Sequence, residues 1–262
     1  MTVLDEILAA TRLEIARLRA APAAPSARVP IDVRARLRRG DGEPLRLVAE
    51  IKKRSPSAGA LSTALSVEAR ARVYAEAGAA MLSVLVDRAH FDGGYHDLAA
   101  ARAAVPTPLL GKGFVLDPIQ LVAAHAAGAD AVLLIVRIVD DPTLRSLVTE
   151  TRRLGMTPLV EVTDEAELAR ALAAGADAIG VNARDLATLQ MDAARAARVL
   201  GRIPADAVAL FFSGLGAPVE VQRVATAREG RRVDGALVGE ALMRRDDPGP
   251  LLRAMIAAAA TP

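Results

Sequence analysis

The chain of 262 residues contains no cysteine, which excludes disulfide bridges, thiolate metal sites and a cysteine nucleophile together. Nothing in it calls for an oxidising compartment. Aromatic residues make up 2% of the chain against a hydrophobic share of 52%, so its core must be aliphatic and close-packed, as where helices lie on a sheet. Basic patches with interleaved aromatics are missing and the net charge is only +2, so no nucleic-acid partner is expected. No apolar run reaches the roughly 18 residues that a membrane span needs. The amino terminus, Met1-Thr2-Val3-Leu4-Asp5-Glu6, is acidic and amphipathic rather than basic then apolar, unlike a secretory signal. A soluble cytoplasmic protein with no membrane partner is the expectation. The histidines, His90, His96 and His125, are scattered without ligand spacing, so no metal is expected either. Oligomeric state is left open, a monomer being favoured.

Lysine is the scarcest charge. Of 33 basic residues only Lys52, Lys53 and Lys112 are lysines, and they stand at the ends of two apolar strand-like runs. Arginine is a permanent cation, whereas a lysine ammonium can release its proton when partly buried. The first run, Val48-Ala49-Glu50-Ile51-Lys52, leads into the loop Lys53-Arg54-Ser55-Pro56-Ser57-Ala58-Gly59. Alternation along a strand puts Val48, Glu50 and Lys52 on one face and Ala49 and Ile51 on the other. A carboxylate and an ammonium therefore look the same way, while Lys53 faces away and reads as solvated or structural.

The apolar residues of Leu4 to Leu18 have helical spacing. The proline-containing stretch Ala21 to Pro30 breaks that helix, and a second short helix follows at Ile31 to Arg39. Residues 1–40 thus read as a helical extension packed on the rest of a single domain, 1–262. From Leu45 onward the chain repeats itself. Helical segments end in Ala77-Gly78-Ala79, Ala127-Gly128-Ala129-Asp130 and Ala174-Gly175-Ala176-Asp177, at intervals of about 50 residues, the length of two βα units. Each glycine sits where a helix must end before the next strand. Strands are expected at Leu45–Ile51, Met81–Asp87, Pro108–Gly113, Ala131–Ile135, Thr157–Glu161, Ala178–Asn182, Val208–Ser213 and Gly235–Gly239. Consecutive βα units with right-handed crossovers close most simply into an α/β (β/α)8 barrel. A doubly wound open sheet is disfavoured, because no Gly-x-Gly-x-x-Gly turn follows the first strand.

In such a barrel the active site lies at the carboxyl ends of the strands. There the sequence places Glu50 and Lys52, Lys112 and Phe114, Glu161, Asn182 and Arg184, Ser213-Gly214, and Gly239. Unpaired buried charge is costly, so these groups argue for chemistry; buried ion pairs that only fix strand register are the competing account. Ser213-Gly214-Leu215-Gly216 and Val238-Gly239-Glu240-Ala241 read as a phosphate site on the last two loops or as tight turns. Phe212 and Ser213 are adjacent, so only one can face inward unless the strand bulges.

Taken together, Ala49-Glu50-Ile51-Lys52-Lys53-Arg54-Ser55-Pro56-Ser57, Phe91-Asp92-Gly93-Gly94, Leu159-Val160-Glu161-Val162, Gly180-Val181-Asn182-Ala183-Arg184-Asp185-Leu186 and Leu237-Val238-Gly239 resemble the indole-3-glycerol phosphate synthase family of tryptophan biosynthesis. That resemblance implies a carboxy-lyase that closes the pyrrole ring of 1-(2-carboxyphenylamino)-1-deoxyribulose 5-phosphate without metal or organic cofactor. It implies Lys112 as general acid at the ketone, Glu161 as general base, and Lys52 as carboxylate anchor and acid for the dehydration. Glu50 and Asn182 would orient these groups and Arg184 would support the anthranilate side. Ser55 would line the substrate, Phe114 and Leu186 would wall the aryl pocket, and Ser213, Gly214 and Gly239 would hold the phosphate. The chain departs from the family's usual pattern at Gly113, where an acidic residue commonly follows the lysine, at Phe212, where a glutamate commonly precedes Ser-Gly, and at Val86, where threonine is common.

Overall fold

The computed structural model describes residues 2–24, 26–56, 59–185, 190–226 and 233–260. Its centre is a closed barrel of parallel strands, here β1 (Arg46–Ile51), β2 (Met81–Leu85), β3 (Leu109–Lys112), β4 (Ala131–Ile135), β5 (Thr157–Val162), β6 (Ala178–Asn182), β7 (Val208–Phe212) and β8 (Gly235–Val238). β1 pairs with both β2 and β8, which closes the ring. The fold is therefore the (β/α)8 barrel, with helices between successive strands. Each expected strand is present, within a few residues of its expected ends. The helices between the strands are Val67–Glu76, Tyr95–Ala104, Pro118–Ala126, Asp141–Arg153, Glu165–Ala173, Ala193–Leu200 and Pro218–Thr226, with Gly249–Ala259 after the last.

Strand alternation separates two cores. Val48, Met81, Leu110, Leu133, Leu159, Leu210 and Leu237 fill the barrel. Ala49, Ile51, Leu82, Val84, Val160 and Val181 face the helices. The repeated glycines do end helices: Gly78, Gly128 and Gly175 take φ of 98°, 92° and 83°, where a side chain would be strained.

The extension is more than a cover on one side. Helix α1 (Val3–Ala20) is capped by Thr2, whose Oγ1 accepts from the Asp5 amide at 3.2 Å, and it packs on Pro118–Ala126. The chain then crosses the amino-terminal end of the barrel. There Asp130, just before β4, accepts from Arg28 Nη1 at 2.8 Å and from the Ile31 amide at 2.7 Å. Asp177, before β6, pairs with Arg34 at 2.8 Å. Asp234, before β8, accepts from the Arg39 amide at 3.1 Å. Between these tethers α2 (Val33–Leu37) presses Val33 and Leu37, each 1% exposed, into the apolar interior of the barrel. His125 has a packing role, its Nδ1 accepting from the Ser26 amide at 3.1 Å.

Candidate active site

The opposite end of the barrel opens into a cleft of about 790 Å³. Glu50 stands at its centre. Its carboxylate is 1% exposed and lies between two ammoniums, Lys52 at 2.7 Å on one oxygen and Lys112 at 2.8 Å on the other. The parity of β1 puts Glu50 and Lys52 on the same face, and Lys112 arrives from two strands away at the end of β3. Gly239, after β8, permits this placement, because a Cβ there would come within 2.4 Å of Glu50 Oε1. Lys53 points outward, as alternation requires, and binds both oxygens of the buried Asp97 at 2.8 Å.

The charges act on one another strongly. Burial, the largest single influence on Glu50, would raise its carboxyl, but the charges and hydrogen bonds of Lys112 and Lys52 outweigh it and hold the group at about 2. Burial would likewise favour the neutral amine of Lys112, yet the charges of Glu50 and Glu161 keep its pKa above the ordinary lysine value. Glu161 behaves differently. Burial pushes it above the ordinary carboxylate value, and Lys112 and the Asn182 amide offset this only in part. The cleft thus holds one carboxyl kept well below its ordinary value, an ammonium kept above its own, and a second carboxyl raised by burial.

A second cluster fixes Glu161. Asn182 Nδ2 donates to Glu161 Oε1 at 3.0 Å, while Asn182 Oδ1 accepts from the Arg184 amide at 3.0 Å and from Ser213 Oγ at 2.8 Å. Arg184, Ser55, Phe114, Ser213, Gly214 and Gly239 all line the same cleft. Ser55 sits in a short antiparallel ribbon, Arg54–Ser55 with Gly59–Ala60. Every site residue expected from the sequence is brought to this one mouth except Leu186, which lies outside the described residues.

Three expectations change. Phe212 and Ser213 both reach the cleft, and no bulge is needed. The strand ends at Phe212 in regular register with Asn182, and Ser213 then takes a left-handed φ of 72°, which turns its side chain back over the mouth. The Phe212 ring faces inward and lies on Gly180, whose Cβ position would be 2.3 Å from Phe212 Cε2. Gly113 also lines the cleft, but a Cβ there would point away from Lys112, meeting Val86 Cγ2 at 2.9 Å. A missing carboxylate at 113 is therefore not missing from the face that carries Lys112. Finally, the loop after β7 offers fewer free amides than its glycines suggest: Gly216 and Ala217 donate to Glu220 Oε2 at 2.5 Å and 3.0 Å.

Some lining groups escaped the sequence reading. Phe91 stands beside Phe114 with ring centroids 6.0 Å apart, and Leu4 and Ile7 of α1 close that apolar wall. Phe91 belongs to a quoted motif but had no assigned role; Leu4 and Ile7 read only as a helix stripe. Arg245, after β8, also lines the cleft. Among the described residues no acidic or histidine cluster could hold a metal ion, and no helix is long and apolar enough to cross a membrane.

A (β/α)8 barrel with lysine–carboxylate pairs and a buried, raised-pKa glutamate at its strand ends has the groups that define the acid–base enzymes of this fold. The fold alone is shared with 3-hexulose-6-phosphate synthase of Salmonella typhimurium, at a TM-score of 0.61 and 16% identity over 82% of this chain and 98% of that one. Sequence likeness is narrower. The family model described as indole-3-glycerol phosphate synthase matches residues 4–255. Relatives carrying that name include one from Nocardioides sp., 44% identical over 97% of this chain and 98% of its own. Another, from Mycolicibacterium vanbaalenii, is 40% identical over 100% and 96%. The chain belongs to the indole-3-glycerol phosphate synthase family.

Proposed function

We propose that the protein converts 1-(2-carboxyphenylamino)-1-deoxyribulose 5-phosphate to indole-3-glycerol phosphate, releasing carbon dioxide and water. The observation that carries this reading is the Glu50 carboxylate bridging Lys52 and Lys112 at the barrel mouth, because the reaction needs two separate proton donors and one base. The aryl carbon bearing the carboxylate bonds to the ketone carbon, and the ketone oxygen takes a proton from Lys112. An alkoxide is a far stronger base than an amine, so this transfer is downhill even with the pKa of Lys112 raised. Loss of carbon dioxide leaves its bonding pair to restore the aromatic ring. The new hydroxyl then departs as water with a proton from Lys52, while Glu161 takes a proton from the ring being formed.

Glu50 holds Lys112 charged before substrate arrives and pairs with Lys52, and Asn182 orients Glu161. Arg184 faces the anthranilate side, Ser55 lies along the substrate, and Phe114 with Phe91 walls the aryl ring. The phosphate falls to the backbone at Gly214 and Gly239, since the amides of Gly216 and Ala217 are occupied. We read residues 1–262 as one domain, supported by the tethers on Asp130, Asp177 and Asp234. Incubating the purified protein with the carboxyphenylamino substrate and following indole fluorescence tests the reading; turnover no faster than in buffer would sink it.

Phe212 favours a second reading, in which the site serves a modified aryl-amino sugar phosphate. Its ring, 2% exposed, replaces polar surface in the cleft with apolar surface. Faster turnover of a ring-substituted substrate than of the parent would support that version.

A further inference from the structure

We propose that Ser213 is a positioning residue for Glu161, acting through Asn182, rather than a ligand of the substrate phosphate. The proposal rests on Glu161 being the carboxylate that exchanges the proton. Ser213 is one of two non-glycine residues with positive φ among those described, a conformation that strains a side-chain-bearing residue. A glycine would sit there without strain, and Gly214 beside it takes a φ of 80°. What the serine adds is its hydroxyl, and the hydroxyl proton is directed to Asn182 Oδ1 at 2.8 Å.

The orientation of Asn182 follows from its partners. The Arg184 backbone N–H, 3.0 Å from Oδ1, can only donate, so the amide oxygen must face it. Ser213 adds a second donor to the same oxygen, and the amide nitrogen is left to donate to Glu161 Oε1 at 3.0 Å. Asn182 is 7% exposed and Glu161 3% exposed, so little solvent competes for these bonds. The donation to Glu161 favours its ionised form and opposes the upward push of burial. A carboxylate held on one oxygen presents the other in a fixed direction, which is what a base acting on one ring proton requires.

The test is the Ser213→Gly variant, which removes the hydroxyl while suiting the backbone. Its thermal stability should be at least that of the parent. Its kcat should fall between about 10-fold and 10²-fold, the scale of a misdirected base, with KM within about 2-fold. The acid limb of the kcat profile should move to higher pH, because Glu161 loses part of the donation that keeps it ionised. In an Asn182→Ala background the same change should add nothing, the sign of a shared path. A raised KM with kcat and acid limb unmoved would overturn the proposal and return Ser213 to the phosphate; unchanged kinetics, or full additivity with Asn182→Ala, would also overturn it. Glu161→Gln separates the premise from the proposal. If that variant keeps its turnover, the role of Glu161 is wrong; if it loses turnover while Ser213→Gly does not, only the positioning role is wrong.

Discussion

Replacing Glu50 with glutamine keeps the shape and removes the one charge that faces both lysines. In the parent, the Glu50 carboxyl lies at about 2 against an ordinary 4.5. Because the folded value is depressed, its contribution to stability is fully present above about pH 4.5 and is lost as pH falls towards 2. A displacement of that size corresponds to about 3 kcal/mol, within the usual range for breaking a buried pair by removing one partner. At neutral pH the Glu50→Gln variant should therefore lose about 3 kcal/mol, a drop of roughly 6–12 °C in Tm for a domain of this size. Its stability should also become less dependent on pH between 4.5 and 2. Turnover should change in a linked way. Glu50 is the foremost influence holding the pKa of Lys112 up against burial, so the alkaline limb of the pH–rate profile should move to lower pH. Urea unfolding at pH 7 and pH 3, with pH–rate profiles of both proteins, measures all of this. Equal stability at pH 7 and an unmoved alkaline limb would refute the electrostatic account of the bridge.

Lys112→Arg keeps the cation but cannot release a proton near neutrality; kcat should fall by at least about 10²-fold with KM little changed, and near-normal steady-state turnover would remove Lys112 from the proton path. Phe212→Glu should lower stability by at least about 3 kcal/mol, since it removes a ring packed against Gly180 and puts a carboxylate in the apolar interior; an unchanged denaturation midpoint would mean that the carboxylate finds a partner. Asp130→Asn should cost about 3 kcal/mol and speed proteolytic cleavage within residues 20–40, because one carboxylate there serves Arg28, Arg102 and the amides of Ile31 and Leu109; cleavage at the parent's rate would show that the extension is held by packing alone.

Most of the site was legible because two short-range rules govern it. The period of two along β1 predicts that Glu50 and Lys52 share a face and that Lys53 does not, and the Lys53–Asp97 pair lies on the outer side accordingly. What no local rule supplies is the distance between Glu50 and Lys112, which depends on how far the closed sheet tilts between β1 and β3. The route of residues 21–39 was illegible for the same reason. Their prolines announce a break, but their partners, Asp130, Asp177 and Asp234, are dispersed over more than a hundred residues. Gly113 is a different case. Its outward direction follows from the parity that turns Lys112 inward, so its weight as a departure could have been reduced from the sequence alone. Ser213 escaped because a left-handed residue after a strand suspends the alternation on which the reading relied.

Parity also decides which departure from the family pattern bears on chemistry. Glu50, Glu161, Lys52 and Lys112 cancel in formal charge. A glutamate at 212 would add one negative charge to this cleft, whereas Phe212 leaves the four balanced and lines the floor with an apolar ring. A substrate carrying a phosphate and a carboxylate meets less repulsion in the balanced site. The same absence removes one source of attraction for the lysines and one source of repulsion for Glu161. The raised pKa of Lys112 then depends first on Glu50, and the proton affinity of Glu161 depends on burial opposed by Lys112 and by the Asn182 amide. A side chain at Gly113, though that residue also lines the cleft, would start out toward Val86 rather than toward this charge cluster.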